Sequence, residues 1–190
     1  MRADARRNYE RLLACAHEAF TERGEDAALE DIARRAGVGI GTLYRHFPTR
    51  EVLLAALLAD RLRGLTAYAE QELDQQEPCE ALINWINAIC DHGKIYHGVA
   101  AGAMAQLLGD GERDKALVEF DEACTASQAA GDRVLRRAQA AGVARPDITR
   151  AHLTALVHGL VQATKNEPEL FDRLLAVMID GIQRVTSPAS

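Results

Sequence analysis

The sequence predicts an all-α chain of about nine helices, with a small three-helix head ahead of a larger helical body. Apolar residues recur at spacings of three and four along most of the chain, the period of a helix with one buried stripe. Alternating runs of β-branched residues, the mark of strands, are missing, and aromatics make up only 5% of the residues. Gly24, Gly37, Pro48 and Pro78 fall between the periodic segments, where helix terminators belong.

Each element follows from its own residues. Tyr9, Leu12, Leu13, Ala16, Ala19 and Phe20 form one apolar stripe, and Gly24 ends it. A second short helix is predicted at about 29–36, stopped by Gly37, and a third at about 40–47, stopped by Pro48. Thr49 offers an N-cap to a fourth helix at about 50–73, and a polar break follows at 74–78. Further helices are predicted at about 80–96, 99–108 (glycine-rich), 112–141, 148–165 and 168–185. The expected domains are 1–49 and 50–190.

At 190 residues and 48% hydrophobic, the chain can bury a substantial core. No stretch reaches the ~20 apolar residues of a membrane-spanning helix, and residues 1–10 are charged with no apolar run behind them, so a cytoplasmic protein with no membrane partner is expected. Cys15, Cys79, Cys90 and Cys124 are widely spaced, form no CxxC pair and sit mostly among apolar neighbours, as reduced thiols packed as small hydrophobes would. His92, His97, Cys90 and Cys124 lack the tight spacing of metal ligands, so no metal or cofactor is expected. Ser127 is the only serine before residue 186, and there is no GxSxG, P-loop or GxGxxG after a strand, which argues against an enzyme.

The net charge of −6 is unevenly distributed. Residues 1–50 carry nine arginines against eight carboxylates, a balance of +1, whereas the rest carries thirteen basic and twenty acidic groups, a balance of −7. A weakly basic head on an acidic body suggests a local phosphate-contacting face.

The segment 29–47 has the layout of a helix-turn-helix. Ile32, Ala33 and Ala36 face inward from its first helix, Leu43 and Phe47 from its second. Gly37 supplies the positive φ of the turn, Val38 fills the angle between the helices, and Gly39 is a weak N-cap. With Leu43 and Phe47 inward, the third helix turns Ile40, Gly41, Thr42, Tyr44, Arg45 and His46 outward. In a major groove, Ile40 and Thr42 suit a thymine methyl, Arg45 suits guanine, and Gly41 lets the backbone approach. Tyr44, His46 and Arg50 suit phosphates, with Arg2, Arg6 and Arg7 as further candidates for the DNA backbone or a neighbouring groove. Arg34 and Arg35 read as solvated surface charges, and His17 as solvent-facing.

The run Ala36-Gly-Val-Gly-Ile-Gly-Thr-Leu-Tyr-Arg-His-Phe-Pro-Thr-Arg-Glu-Val-Leu53 resembles the DNA-binding signature of TetR-family transcriptional regulators, and the likeness covers roughly the first 55 residues. That family often has Thr or Ser near Ala28, often Ser at Gly39, and more commonly Lys at Arg50. The resemblance implies a homodimer on a palindromic double-stranded DNA operator, usually as a repressor, and a helical C-terminal domain that binds a small-molecule effector. A helical protein-interaction or ligand-binding module whose helix-turn-helix no longer reads DNA is the alternative.

In the body, the last two predicted helices carry wide apolar stripes. Leu153, Leu156, Val157, Leu160, Phe171, Leu174, Met178 and Ile182 suit a two-helix dimer face, a four-helix bundle once paired with their symmetry mates. Trp85, Ile89, His92, Tyr96, Met104, Leu107, Phe120, Cys124 and Gln128 form an apolar set with scattered polar groups, the composition of a small-molecule pocket.

Overall fold

The stripe at 9–20 winds into helix α1, Arg2–Arg23, in a computed structural model that describes residues 2–107, 115–165 and 167–183. Leu12, Ala16 and Phe20 are buried on one side of it, while Arg6, Glu10 and Arg11 stay outside. Gly24 turns the chain at φ +56° into one turn of 3-10 helix, Gly24–Asp26. Helix α2 is Leu29–Arg35, and α3 is Ile40–His46. Between them Gly37 sits at φ +69°, the left-handed conformation that only glycine adopts without strain. The amide of Val38 donates to the Ala33 carbonyl at 3.0 Å, which closes the turn. Neither Ala28 nor Gly39, the N-caps of α2 and α3, makes a side-chain cap.

Helix α4, Arg50–Gln71, is buried on every side from Val52 to Ala59. A helix apolar all round has to be surrounded. Val52, Leu53, Leu54, Ala56, Leu57 and Leu58 join Leu12, Ala16, Phe20, Ile32, Leu43 and Phe47 in one core. Further along α4, Ala69 belongs to a second core, with Leu73, Trp85, Ile86, Val134, Leu153, Val157 and Phe171. The chain accordingly divides into two compact units, Met1–Leu62 with Ile95–Cys124, and Arg63–Lys94 with Thr125–Ser190.

The remaining helices are α5 (Pro78–Leu107), α6 (Lys115–Ala140), α7 (Arg150–Ala163) and α8 (Pro168–Ile182). The segments expected as separate helices at 80–96 and 99–108 are one helix, α5. Its glycines each cost about 1 kcal/mol against alanine, which slows a helix but does not stop one, and no proline interrupts the run. Eight α-helices and no strand occur among the described residues, and a single antiparallel bridge joins Ala144 to Gln183. No helix there is long and apolar enough to cross a membrane.

Two devices fix the second unit. Arg137 of α6 donates from Nη1 to the Leu73 carbonyl at 2.8 Å and from Nη2 to that of Gln76, so it satisfies the turn between α4 and α5. Thr149 caps α7 through the His152 amide, and His152 Nδ1 accepts the Thr149 amide in return, the place a Glu or Gln usually takes. The four cysteines are free, and burial pushes the Cys90 thiol up to about 11, so it packs as a small protonated hydrophobe.

Gly131 of α6 faces the Trp85 ring so closely that an added Cβ would sit 3.0 Å from its Cζ2 and Nε1. Gly131→Ala is expected to destabilise the protein by up to about 2 kcal/mol, the overpacking cost of displacing the indole less the roughly 1 kcal/mol that alanine gains over glycine inside a helix. Chemical denaturation followed by the fluorescence of Trp85, the only tryptophan, measures it.

Candidate nucleic-acid interface

The short helix α3 exists because of what lies beneath it. Seven residues do not hold a helix in water, so the burial of Leu43 and Phe47 has to hold this one. Tyr9 of α1 packs on Phe47 with ring centroids 5.0 Å apart and meets His46 edge-on at 6.0 Å, which clamps the C-terminal turn of α3 to α1. Tyr9 escaped the sequence reading as a site residue. Its apolar spacing marked only a place on the stripe of α1.

The opposite face of α3 is open. Ile40 is 37% and Tyr44 44% exposed, large apolar and aromatic side chains left outside on a helix of this size. Gly41 is exposed with nothing within 4 Å of where a Cβ would stand. Arg45 lies along its own helix, with Nε donating to the Gly41 carbonyl at 3.1 Å and Nη2 to Thr42 Oγ1 at 3.0 Å. These bonds aim the guanidinium toward the N-terminal half of α3, next to Ile40 and Thr42. His46 is half-buried, unlike its neighbours Tyr44 and Arg45.

Arg50 has a second occupation. Its Nη1 donates to the Ala27 carbonyl at 2.6 Å and its guanidinium lies 4.9 Å over the Phe20 ring. The first residue of α4 thereby ties the end of α1 and the approach to α2 together. Arg35 and Arg34, expected as solvated charges, are both paired. Arg35 grips Glu22 of α1 with both terminal nitrogens, at 3.1 and 2.7 Å, while Asp31 accepts from Arg23 at 2.7 Å and from Arg34 at 2.8 Å. The Arg35 hydrogen bond holds the Glu22 carboxyl below its ordinary value, and those of Arg34 and Arg23 do the same for Asp31. Arg6 pairs with Glu10 and Arg7 with Asp4 on exposed α1, and the Arg2 side chain lies outside the described residues.

In the second unit Trp85 is buried and Ile89 packs on the same core, His92 is half-buried, and Gln128 is exposed. Phe120 packs on the first core and Cys124 is half-buried. The side chains of Tyr96, Met104 and Leu107 lie outside the described residues. On α7 and α8, Leu153, Val157, Leu160, Phe171 and Ile182 are buried within their own unit. Leu156 and Leu174 are exposed, together with Leu170 and Val177, the last at 67%. Met178 is half-buried.

Residues 12–57 match the model of bacterial regulatory proteins of the tetR family, and residues 77–184 that of the SbtR-like transcriptional regulator C-terminal domain. A TetR transcriptional regulator from Streptomyces coelicolor is 32% identical, with 93% of this chain and 99% of that one covered and a TM-score of 0.72. A TetR regulatory protein from Mycobacterium vanbaalenii is 34% identical, with 96% and 99% covered and a TM-score of 0.64. An HTH-type transcriptional regulator of Staphylococcus aureus is 44% identical over 54 residues, 28% of this chain, and the match spans only 29% of that relative's length. A helix-turn-helix head with an open recognition face, a helical body, and matches along nearly the whole chain place this protein in the TetR family of transcriptional regulators, DNA-binding proteins that are not enzymes.

Proposed function

We propose that this chain is a homodimeric repressor that sits on a palindromic operator and leaves it when the body takes up a small-molecule effector. The observation that carries the reading is the outer face of α3, where Ile40, Gly41, Thr42, Tyr44 and Arg45 stand on a base of buried Leu43. Ile40 and Thr42 meet thymine methyls, Arg45 reaches a guanine edge, and Tyr44, His46 and Arg50 contact phosphates. Two heads in successive major grooves on one side of B-DNA stand about 34 to 36 Å apart. A single head with a charge balance of only +1 binds weakly, so pairing supplies the affinity.

The exposed apolar stripe of Leu156, Leu170, Leu174 and Val177 supports pairing through α7 and α8. Leu153, Val157, Leu160, Phe171 and Ile182 serve from beneath, as the core on which that stripe rests. Within the second unit, Trp85, Ile89 and His92 are the candidates for effector contacts. Since α4 runs unbroken from Arg50 to Gln71, a change in the body has a continuous helix along which to reach the head.

Three outcomes test this. Arg45→Ala is expected to weaken operator binding by about 1 to 3 kcal/mol and relax the base preference at one position, read by gel shift on an operator series. Equal losses on operator and random DNA reject its role. Arg50→Ala is expected to weaken all sequences, to lower the salt slope by about 0.9, and to lower the melting temperature because the Ala27 and Phe20 contacts go with it. Leu174→Asp with Val177→Asp is expected to yield a folded monomer by light scattering that binds one half-site weakly. A dimer that survives both charges places the interface elsewhere.

A further inference from the structure

The first unit has a groove apart from the outer face of α3. It runs between α1 and α4, holds about 520 Å³, and is lined by Arg6, Tyr9, Glu10, Leu13, Ala14, His17, Leu57, Asp60 and Arg61. Leu13, Ala14 and Leu57 give it an apolar floor. The charges around that floor are not equivalent. Glu10 is paired with Arg6 at 2.9 Å, and Asp60 is exposed to water. Arg61 is different: its Nε is buried and has no hydrogen-bond partner among the described residues. A buried guanidinium N–H left without an acceptor is costly, and an acceptor placed against it recovers that cost. His17, half-buried rather than solvent-facing, lies close enough to feel Arg61. Burial first and the Arg61 charge second hold its imidazole below the ordinary value, with Glu18 and Asp60 acting the other way, so Arg61 is the fixed positive charge of the groove.

We propose that this groove binds a small organic monocarboxylate, its carboxylate on Arg61 and its apolar body on Leu13, Ala14 and Leu57. The lining chooses the class. A donor is the unsatisfied group, so the guest brings an acceptor. Arg6 is already held by Glu10 at 2.9 Å, which leaves Arg61, among the described residues, as the one uncommitted cation of the lining, a match for a single negative charge and not for the two of a phosphate dianion. An apolar floor rewards a guest with a hydrocarbon or aromatic body. Tyr9 lines the groove and also touches His46, the last residue of α3, and Phe47, which caps it, so a guest seated there abuts the residue that holds the recognition helix. That last consequence rests on the DNA-binding reading, whereas occupancy of the groove does not.

The test uses benzoate, with uncharged benzamide as its isostere, on the full-length protein without DNA. Benzoate is expected to give saturable calorimetric binding and to shift the His17 and Tyr9 ring resonances while leaving Trp85 fluorescence, a signal from the other unit, unchanged. Benzamide is expected not to bind. Arg61→Gln is expected to weaken benzoate by about tenfold or more, the usual loss of a charge-assisted hydrogen bond. Ala14→Leu, which fills the floor without touching a charge, is expected to block it too, so a folding defect in one variant leaves the other to decide, with circular dichroism as the check. Binding that persists in both folded variants, or that moves Trp85 and not His17, overturns the proposal, as does no saturable binding. A gel shift with and without benzoate then asks separately whether occupancy alters DNA affinity. Failure there with the groove occupied counts against the link to α3 and not against the site.

Discussion

Everything at the DNA-facing end depends on burying two side chains, Leu43 inside a helix too short to exist alone and Phe47, the extended residue that caps it. A seven-residue helix gains too few internal hydrogen bonds to repay its nucleation. Each buried leucine or phenylalanine contributes roughly 1.5 to 3 kcal/mol of transfer free energy, so these two set the scale of what holds α3 in place. Leu43, buried at the middle of α3, fixes the rotation of the helix, and Phe47 anchors its end. The remaining positions, Ile40, Gly41, Thr42, Tyr44 and Arg45, then have only the outside to occupy. The same constraint that stabilises the helix presents the face.

Polar ties supply the angular precision that apolar burial cannot. The Arg35 pair with Glu22 sets α2 against α1, the bridges of Asp31 to Arg23 and Arg34 secure the start of α2, and Arg50 binds the carbonyl of Ala27 while covering Phe20. Exposed ion pairs are individually worth little, about 0 to 1 kcal/mol, so their value here is geometric. Arg50 differs because it is partly buried and satisfies a backbone acceptor at the junction of three helices. A lysine there keeps the charge but offers one point of donation on a flexible stem, and its ammonium sits less well over a ring.

The sequence made the helices legible wherever one apolar stripe had one partner surface. The stripe of α1, the turn glycine Gly37 and the inward pair Leu43 and Phe47 were readable because period and turn chemistry are local. What stayed hidden was long-range. Nothing local tells that Arg35 meets a residue thirteen positions back or that Arg50 reaches twenty-three back, so the pattern alone makes the first a solvated charge and the second a phosphate contact. The unbroken α5 is not legible in the sequence because glycine weakens a helix without ending it, so a glycine-rich stretch suggests a boundary that the helix does not have. The stripes on α7 and α8 were seen, but periodicity cannot separate the edge that faces the chain's own core from the edge left outside. Leu153 and Leu156 are three apart on one helix, yet one is 2% exposed and the other 45%.

That division of one stripe into two edges bears on why the body is built as it is. A helix pair needed only to close a monomer core has no reason to carry Leu156, Leu170, Leu174 and Val177 outward, since exposed apolar surface gains nothing in water and invites aggregation. Covering surface of this kind would gain free energy by removing it from water. The head, for its part, carries nine arginines, and at least six of them are held by carboxylates or backbone groups of their own unit, so little of its positive charge is uncommitted. Little uncommitted charge on the head and exposed apolar side chains on the body would both be answered by pairing. Two copies joined through α7 and α8 would cover the apolar face and double the number of α3 surfaces on one duplex, with no new residue required.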